Sequence, residues 1–290
     1  MNIDYLDKNL VQTLIPKRDP SSHKDDFGRL LLITGSFQYP GSSILAGKSA
    51  YRTGVGVVSI VSDKYLTSIY ASSFHEATYF NLEDSRNIYE YRVLLDKKIA
   101  KYKTILFGPG LDTTDSAVRL TEFLIKYLKD KDIKLIIDAD GLTHLSLIPN
   151  WWEYLPLNTV ITPHVGEFRA LLGEDFDIDD SIKIVKEKSE EWKCTIVLKN
   201  SKTIIAKNIN EAFLNNSENS LLSTAGTGDV LAGMIAGFIS QGIDSFDAAC
   251  IGVYIHSIVG LKLKDTFSDR GMLSSDMIDQ IPIVLKEISK

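Results

Sequence analysis

Cysteine is scarce in this 290-residue sequence, with only Cys194 and Cys250 present. The pair has no metal-ligating or redox spacing, which excludes a disulfide framework and a cysteine-built metal centre. Both thiols sit among apolar neighbours and are expected to be buried. An excess of positive charge is also missing: 32 Lys and Arg stand against 38 Asp and Glu, a net charge of −6 with no basic run. That excludes nucleic acid as the main partner, although a nucleotide needs only a local positive pocket. No apolar stretch reaches the roughly 18 residues of a bilayer span, so no membrane partner is expected. The first residues, MNIDYLDKNLVQTLIPKRDPSSHKDDFG, lack the basic start and apolar core of a secretory leader. A cytoplasmic protein is expected. Repeats, low-complexity tracts and a linker are absent too, and the expectation is a single domain over residues 1–290. Hydrophobic residues at 44% and charged ones at 24% suit a soluble fold. A domain of this length buries about three quarters of its unfolded surface.

Short β-branched runs recur at residues 30–35, 55–61, 104–110, 134–141, 158–164 and 195–200. They are continuous rather than alternating, as strands covered on both faces require. Helical patterns separate or follow them at residues 42–53, 114–129, 166–172, 181–191, 245–264 and 274–289. KTIIAKN and EAFLNN read as a hairpin or edge strands. Strand alternating with helix predicts an α/β fold: a doubly wound, mostly parallel sheet with helices on both faces. Five strands end in polar signatures: Thr34-Gly35-Ser36, Gly108-Pro109-Gly110, Asp138-Ala139-Asp140-Gly141, Thr162-Pro163-His164 and Lys199-Asn200. Ligands of open α/β sheets bind beyond such carboxyl ends.

The stretch LLSTAGTGDVLAGMIAG, residues 221–237, places Gly226 and Gly228 around Thr227, then Asp229, then an apolar run. A run apolar almost all round predicts a buried helix, its first turn beginning near Asp229. The first amides of a helix lack partners within it, and its dipole is positive there. A glycine-rich turn entering such a helix is an anion site. Capping by Thr227 or Asp229 is the plainer reading; it needs one polar side chain rather than Thr-Ala-Gly-Thr-Gly-Asp.

SHKDDFGRLLLITGS, YPGSSILAGKSAYRTGVG, FGPGL, DADGL, TPHVGE, LKNSKT and STAGTGDVLAGMIAGFISQG occur in one order and spacing over most of the chain. Together they resemble the ADP/ATP-dependent NAD(P)H-hydrate dehydratases, whose fold is a ribokinase-like three-layer sandwich. The resemblance implies repair of NADH or NADPH hydrated at nicotinamide C6. The C6 hydroxyl of the S-epimer is phosphorylated from ADP or ATP, and loss of phosphate restores the reduced cofactor. It implies Mg²⁺, a homotetramer and functional partnership with a separate NAD(P)H-hydrate epimerase, for which the mapped chain leaves no room.

Against that chemistry Asp229 is the candidate general base, work typically worth about 10²–10⁴-fold in rate. Its place at a helix start favours the ionised form. The amides of Ala225, Gly226, Thr227 and Gly228 are the candidate anion hole. By resemblance Gly228 lies at the nucleotide, and Asp229, His164, Ser42 and Gly110 at the hydrated dinucleotide. Lys199, Asn200, Ser201, Lys202, Thr203 and Asn219 are implied at the nucleotide. Asn200 replaces a family glycine, Ser42 an alanine, and Asp112 a frequent glycine. Glu167 is implied in ordering Mg²⁺ waters, while Thr162 and Pro163 start a helix and leave His164 spare. Lys199 reads equally as a solvated strand end. Gly41 and Gly110 also read as turn glycines. Asp138 and Asp140, two apart on a strand, face one side, where they hold Mg²⁺ or a hydroxyl, or cap a turn. His75, His144 and His256 read as ordinary packed or polar residues, and His23 and Lys24 carry no assigned role. Two other functions stay open: a small-molecule kinase of this fold acting on a vitamin-precursor or sugar hydroxyl, and a non-catalytic nucleotide-binding protein.

Overall fold

The computed structural model describes residues 3–84, 86–216 and 218–289. Its strands carry apolar side chains on both faces, so each feeds two cores at once. In β2 (Arg29–Ile33), Leu30 and Leu32 enter one core while Leu31 and Ile33 enter the other. The same alternation holds in β5 (Thr104–Phe107), β6 (Lys134–Ile137), β7 (Val160–Ile161) and β8 (Thr195–Leu198). These strands join β1 (Asp4–Tyr5), β3 (Val57–Asp63), β4 (Thr78–Leu82), β9 (Lys202–Ala206) and β10 (Ala212–Asn216) in one ten-stranded sheet. Its order is β1-β10-β9-β8-β7-β6-β5-β2-β3-β4. Among the described residues β9 alone runs antiparallel to its neighbours. From β2 the chain winds outward through β3 and β4, then returns to place β5 on the other side of β2. The switch point of the sheet therefore lies between β2 and β5, where open α/β folds form their ligand crevice.

One face is covered by α1 (Lys8–Leu14), α2 (Pro40–Thr53), α3 (Lys64–Ser73), α9 (Thr227–Ser240), α10 (Ser245–Phe267) and α11 (Ser274–Ile288). The other is covered by α4 (Ile88–Lys98), α5 (Asp115–Leu128), α6 (Asp140–Ser146), α7 (Val165–Leu172) and α8 (Ser181–Trp192). This is the expected α/β arrangement, and the expected helices are present with ends within a few residues. The short or polar elements β1, α1, α3, β4 and α4 carry no run that announces them. In β4, Thr78 and Asn81 are exposed, as suits an edge strand. Two expectations fail. The strand expected over 134–141 stops at Ile137, because the chain turns at Asp138 and Asp140 already begins α6. Helix α10 has a mean hydropathy of 1.4 over its most apolar 18 residues, long and apolar enough to cross a membrane by length and composition alone. Asp247 and Lys262 had broken the run in sequence; 72% of that window is buried within the fold.

Helices α2 and α9 lie closer than ordinary side chains allow. A Cβ at Gly233 would stand 2.2 Å from the Ala46 carbonyl oxygen, and one at Gly237 2.2 Å from Thr53 Oγ1. Ala46 faces Gly233 and Ala50 faces Gly237, a constant offset that makes the pair run parallel. Their amino ends consequently meet at the switch point. Gly233→Ala gains roughly 1 kcal/mol of helix propensity, yet it drives a methyl into backbone. A net loss of about 1–3 kcal/mol is expected, read as a lower thermal midpoint by circular dichroism; an unchanged or raised midpoint contradicts the close-packing account.

Candidate active site

At the carboxyl end of β2 the chain passes Thr34 and Gly35 and enters α2, with Pro40 pre-set in its first turn. Beside it, β5 ends in Gly108-Pro109-Gly110. Gly35 donates its N–H to the Pro109 carbonyl at 2.7 Å, which joins the two strand ends. Gly110 has φ +69°, and a Cβ there would stand 2.8 Å from Ser42 Oγ. Ser42 stands beside the Asp229 carboxylate across the first turns of α2 and α9, where its hydroxyl favours the charged form. The fold thus brings Ser42, Gly110 and Asp229 together, although 187 residues separate the first from the last.

Beyond β6, Asp138 is 1% exposed and accepts a 2.7 Å hydrogen bond from Lys199 Nζ at the end of β8. Lys199 is therefore no solvated strand end. Burial opposes its charge, but the neighbouring Asp138 and Glu167 carboxylates hold its pKa above the ordinary value. Gly228 lies over this pair: a Cβ on it would stand 3.5 Å from Lys199 Nζ and 3.8 Å from Asp138 Oδ2. Asp138 and Asp140 do not lie on one strand as expected, although both carboxylates act on Glu167 and Asp229. Ala139 between them adopts φ +52°, ψ −125°, a conformation costly for any residue with a Cβ. The reversal aims Asp138 at Lys199 and leaves Asp140 Oδ2 to accept the Asp112 N–H at 2.9 Å.

His164 is the cap of α7 itself, in place of Thr162. Its Nδ1 accepts the Glu167 N–H at 3.1 Å while Glu167 Oε2 accepts the His164 N–H at 2.7 Å. With Nδ1 accepting, the neutral ring carries its proton on Nε2, which lies 3.5 Å from Glu167 Oε1. The His164 side chain is 60% exposed, whereas that of Glu167 is 12% exposed. Burial lowers the His164 pKa, with a contribution from Lys199. Burial raises that of Glu167 to about 7, against the pull of Lys199. At Asp229 burial likewise raises the pKa to about 6, Asp138 adding to it, against the Ser42 hydroxyl and Lys199. The expected preference for the ionised form at a helix start is therefore reduced.

A cavity of about 520 Å³ adjoins this cluster. Lys199, Asn200, Ser201 and Thr203 line it from the β8–β9 turn. Asn219, Ala225, Thr227 and Gly228 line it from the approach to α9, and His164 stands at its edge. Lys202, exposed at the start of β9, is not part of the lining, nor is Gly226. Gly226, at φ +88°, makes the turn into α9 and would press a Cβ against Leu45 and Ser274. Asn219 Oδ1 accepts the Leu221 N–H, yet its buried Nδ2 has no acceptor among the described residues. Leu222, Leu231 and Val253 form an apolar wall. An apolar wall, an orphan amide donor, a lysine and a helix amino end suit a base, a sugar and a phosphate chain in that order.

Sequence reasoning missed two groups. His256 of α10, read as ordinary, lines the cavity with Nε2 at 3.0 Å from the Thr227 carbonyl oxygen. Arg86, outside every motif, donates to Asp112 Oδ2 at 2.8 Å and to the Leu111 carbonyl. Burial opposes the Asp112 charge, but hydrogen bonds from Thr114 and Arg86 prevail and lower its pKa. Asp112 holds φ +62° there. His144 is packed as expected, bridging the Asp112 carbonyl and Thr121 Oγ1. His23 and Lys24 stand at the opposite, amino ends of β2 and β3, where Lys24 O abuts Gly56.

Comparison with known proteins fits this geometry. A family model described as NAD(P)H-hydrate dehydratase matches residues 30–283. A bifunctional NAD(P)H-hydrate repair enzyme of Dictyoglomus turgidum is 29% identical over 293 residues, covering 99% of this chain and 56% of that protein. An ADP-dependent (S)-NAD(P)H-hydrate dehydratase of Nitrosopumilus maritimus is 31% identical over 288 residues, covering 97% and 96%. The crystal structure of the Bacillus subtilis ADP/ATP-dependent NAD(P)H-hydrate dehydratase, co-crystallised with ATP and Mg²⁺, superposes with a TM-score of 0.84 at 29% identity and covers 99% of both chains. The chain spans about half the length of the bifunctional relatives it matches.

The raised carboxylates have a thermodynamic consequence. Asp229 titrates near 6 and Glu167 near 7 in the folded chain, against about 4 when unfolded. Between those values the folded state holds protons that the unfolded state has released. Their contribution to stability is full below about pH 4 and is lost as pH rises towards 7. Asp229→Asn removes one such charge. It is expected to unfold at a higher temperature than wild type at pH 8, with the gap closing at pH 5. Thermal midpoints at the two pH values decide it, and a gap independent of pH contradicts the raised pKa.

Proposed function

The chain belongs to the NAD(P)H-hydrate dehydratase family, and from that premise we propose that it repairs nicotinamide nucleotides. It dehydrates the S-epimer of hydrated NADH or NADPH, with ADP as the preferred phosphoryl donor and ATP as an alternative. With ADP the products are the reduced dinucleotide, AMP and phosphate. The observation that carries the reading is the place of Asp229. Its carboxylate stands between the nucleotide cavity, one residue from Gly228, and the switch-point crevice at Ser42 and Gly110. A group so placed faces a donor phosphate on one side and an acceptor hydroxyl on the other.

Each residue then has a task. Asp229 takes the proton of the C6 hydroxyl as that oxygen attacks the terminal phosphate. A base titrating near 6 is charged at neutral pH while remaining basic enough to accept the proton. The Ala225 and Gly228 amides and the start of α9 meet the charge on the transferring group, whereas the Thr227 N–H, expected in the same hole, is spent on the Thr224 carbonyl at 3.3 Å. Lys199, held by Asp138, adds its positive charge on the same side. Asn219, Asn200, Ser201 and Thr203 hold the base, sugar and inner phosphate. Ser42, Gly110 and the exposed His164 ring hold the hydrated dinucleotide. Departure of phosphate from C6 with its bonding electrons, and release of a C5 proton to water, then restores the C5–C6 double bond of the ring.

The charge balance suits Mg²⁺. One lysine stands among Asp138, Asp140, Glu167 and Asp229, and a polyphosphate adds further negative charge. Among the described residues no group of three or more His, Cys, Asp or Glu is arranged to cage a metal. That fits an ion which keeps several waters and binds mainly to phosphate oxygens. Glu167 and Asp138 would hold those waters, and the ion would neutralise the phosphates. The reading extends to a homotetramer in the cytoplasm, on the family resemblance, and to a separate epimerase as functional partner, on the bifunctional make-up of the longer relatives.

Hydrated NADH, supplied with Mg²⁺ and either ADP or ATP, is expected to regain its reduced-nicotinamide absorbance with the wild-type protein. Asp229→Asn should slow this by about 10²–10⁴-fold, and the wild-type rate should climb with pH through about 6. No recovery with either nucleotide from folded, nucleotide-binding protein overturns the reading. A stable phosphorylated product from another hydroxyl compound favours the kinase.

A further inference from the structure

His256 lies in the middle of α10, 8% exposed, in the wall of the nucleotide cavity. Its Nε2 is 3.0 Å from the carbonyl oxygen of Thr227. A carbonyl only accepts, so this nitrogen carries the proton and donates. Burial pushes the ring pKa down to about 4, so the imidazole is neutral across the working range.

The bond acts on a particular peptide unit. The Thr227 carbonyl and the Gly228 N–H belong to one rigid plane and point in opposite directions across it. A donor fixed on the oxygen therefore aims the N–H. Gly228 lines the nucleotide cavity above Lys199, in the first turn of α9, where backbone N–H groups have no partner within the helix. The same residue is held elsewhere: Thr227 Oγ1 donates to the Leu222 carbonyl at 2.8 Å and to the Thr224 carbonyl at 2.9 Å. Its position is set further by the close seating of α10 on α9, where a Cβ at Gly252 would stand 2.6 Å from Ile235 Cγ1.

We infer that His256 is a positioning residue, which grips the Thr227–Gly228 peptide from behind so that the Gly228 N–H faces the terminal phosphate of the nucleotide. In this role it acts on the phosphate through the backbone, while its ring forms part of the cavity wall. The bond also polarises the peptide, since hydrogen bonds in a chain strengthen one another. The inference rests on the reading of the cavity as a nucleotide site, and goes beyond it by assigning a residue of α10 to the strength of the anion hole.

The test compares ADP with AMP, which differ by the phosphate at issue. Calorimetry with Mg²⁺ gives the preference for ADP over AMP in wild type, His256→Leu and His256→Gln. Gln offers an amide donor at about the reach of Nε2, and Leu offers none; His256→Met serves where Leu does not fold. The Leu preference is expected to fall about tenfold, the scale of one weakened hydrogen bond to a charged group, and to return within about threefold of wild type in Gln. Affinity for AMP should stay within about twofold. In the dehydration assay the Leu variant should lose kcat with little change in the hydrated-NADH KM. An unchanged preference in a folded Leu or Met variant overturns the inference. So does a loss that Gln fails to restore, and so does a wild type with no preference for ADP. The binding arm reads out without turnover. Failure of the dehydratase reading, seen as no absorbance recovery by wild type, is thus separable from failure of the His256 assignment.

Discussion

The site exists because α2 and α9 touch backbone to backbone. Gly233 and Gly237 leave no side chain between the helices, so Ala46, Ala50 and Thr53 of α2 settle directly on α9. Two parallel helices locked at this distance share one end, and that end is the switch point between β2 and β5. Ser42 then reaches Asp229, and Gly110 is bare because Ser42 and Tyr39 occupy the space a side chain would need. A wider spacing would part the base from its hydroxyl partner without unfolding either helix. Packing here performs a functional task, as dense interiors transmit a misplaced methyl directly to their neighbours.

Electrostatics builds the second layer. Carboxylates outnumber Lys199 around the cavity edge, and burial raises the pKa of three of them: Asp140, Glu167 to about 7 and Asp229 to about 6. The protein accepts this because Asp138 is committed to Lys199 and Glu167 to the α7 cap. Asp229 keeps the Ser42 hydroxyl as its neighbour and remains the carboxylate at the meeting of cavity and crevice. Raised pKa values of this kind concentrate at functional sites. The cluster suits a ligand that arrives with its own counter-cation.

Backbone strain marks the same region. Ala139 at φ +52° and Asp112 at φ +62° both hold conformations that residues with a Cβ rarely adopt. The first separates the directions of Asp138 and Asp140. The second is pinned by Arg86, Thr114, His144 and Asp140 acting on one residue. Such over-determination is what sustains strain at a site. It also explains how an aspartate serves where the family often has glycine.

Much was legible along the chain. Continuous β-branched runs announced a sheet buried on both faces, since only a strand covered twice has no polar side. Glycines around Thr227 announced a backbone turned outward at a helix start, and Asp229 announced a carboxylate there. Local rules failed where distant parts of the chain meet. Helical periodicity on α10 cannot tell that His256 backs the Thr227 carbonyl, because the two are 29 residues apart and meet only through the packing of α10 on α9. Two aspartates two apart read as one face until the turn at Ala139 sends them to different partners. Thr162 read as the cap of α7 until His164 supplied the nitrogen. By itself the sequence determined the layers, the order of strand and helix, and the chemical groups at the strand ends, because these follow from periodicity and backbone freedom. Only the tertiary structure decided which groups pair and what charge each carries, because pairing and desolvation depend on neighbours brought together from across the chain.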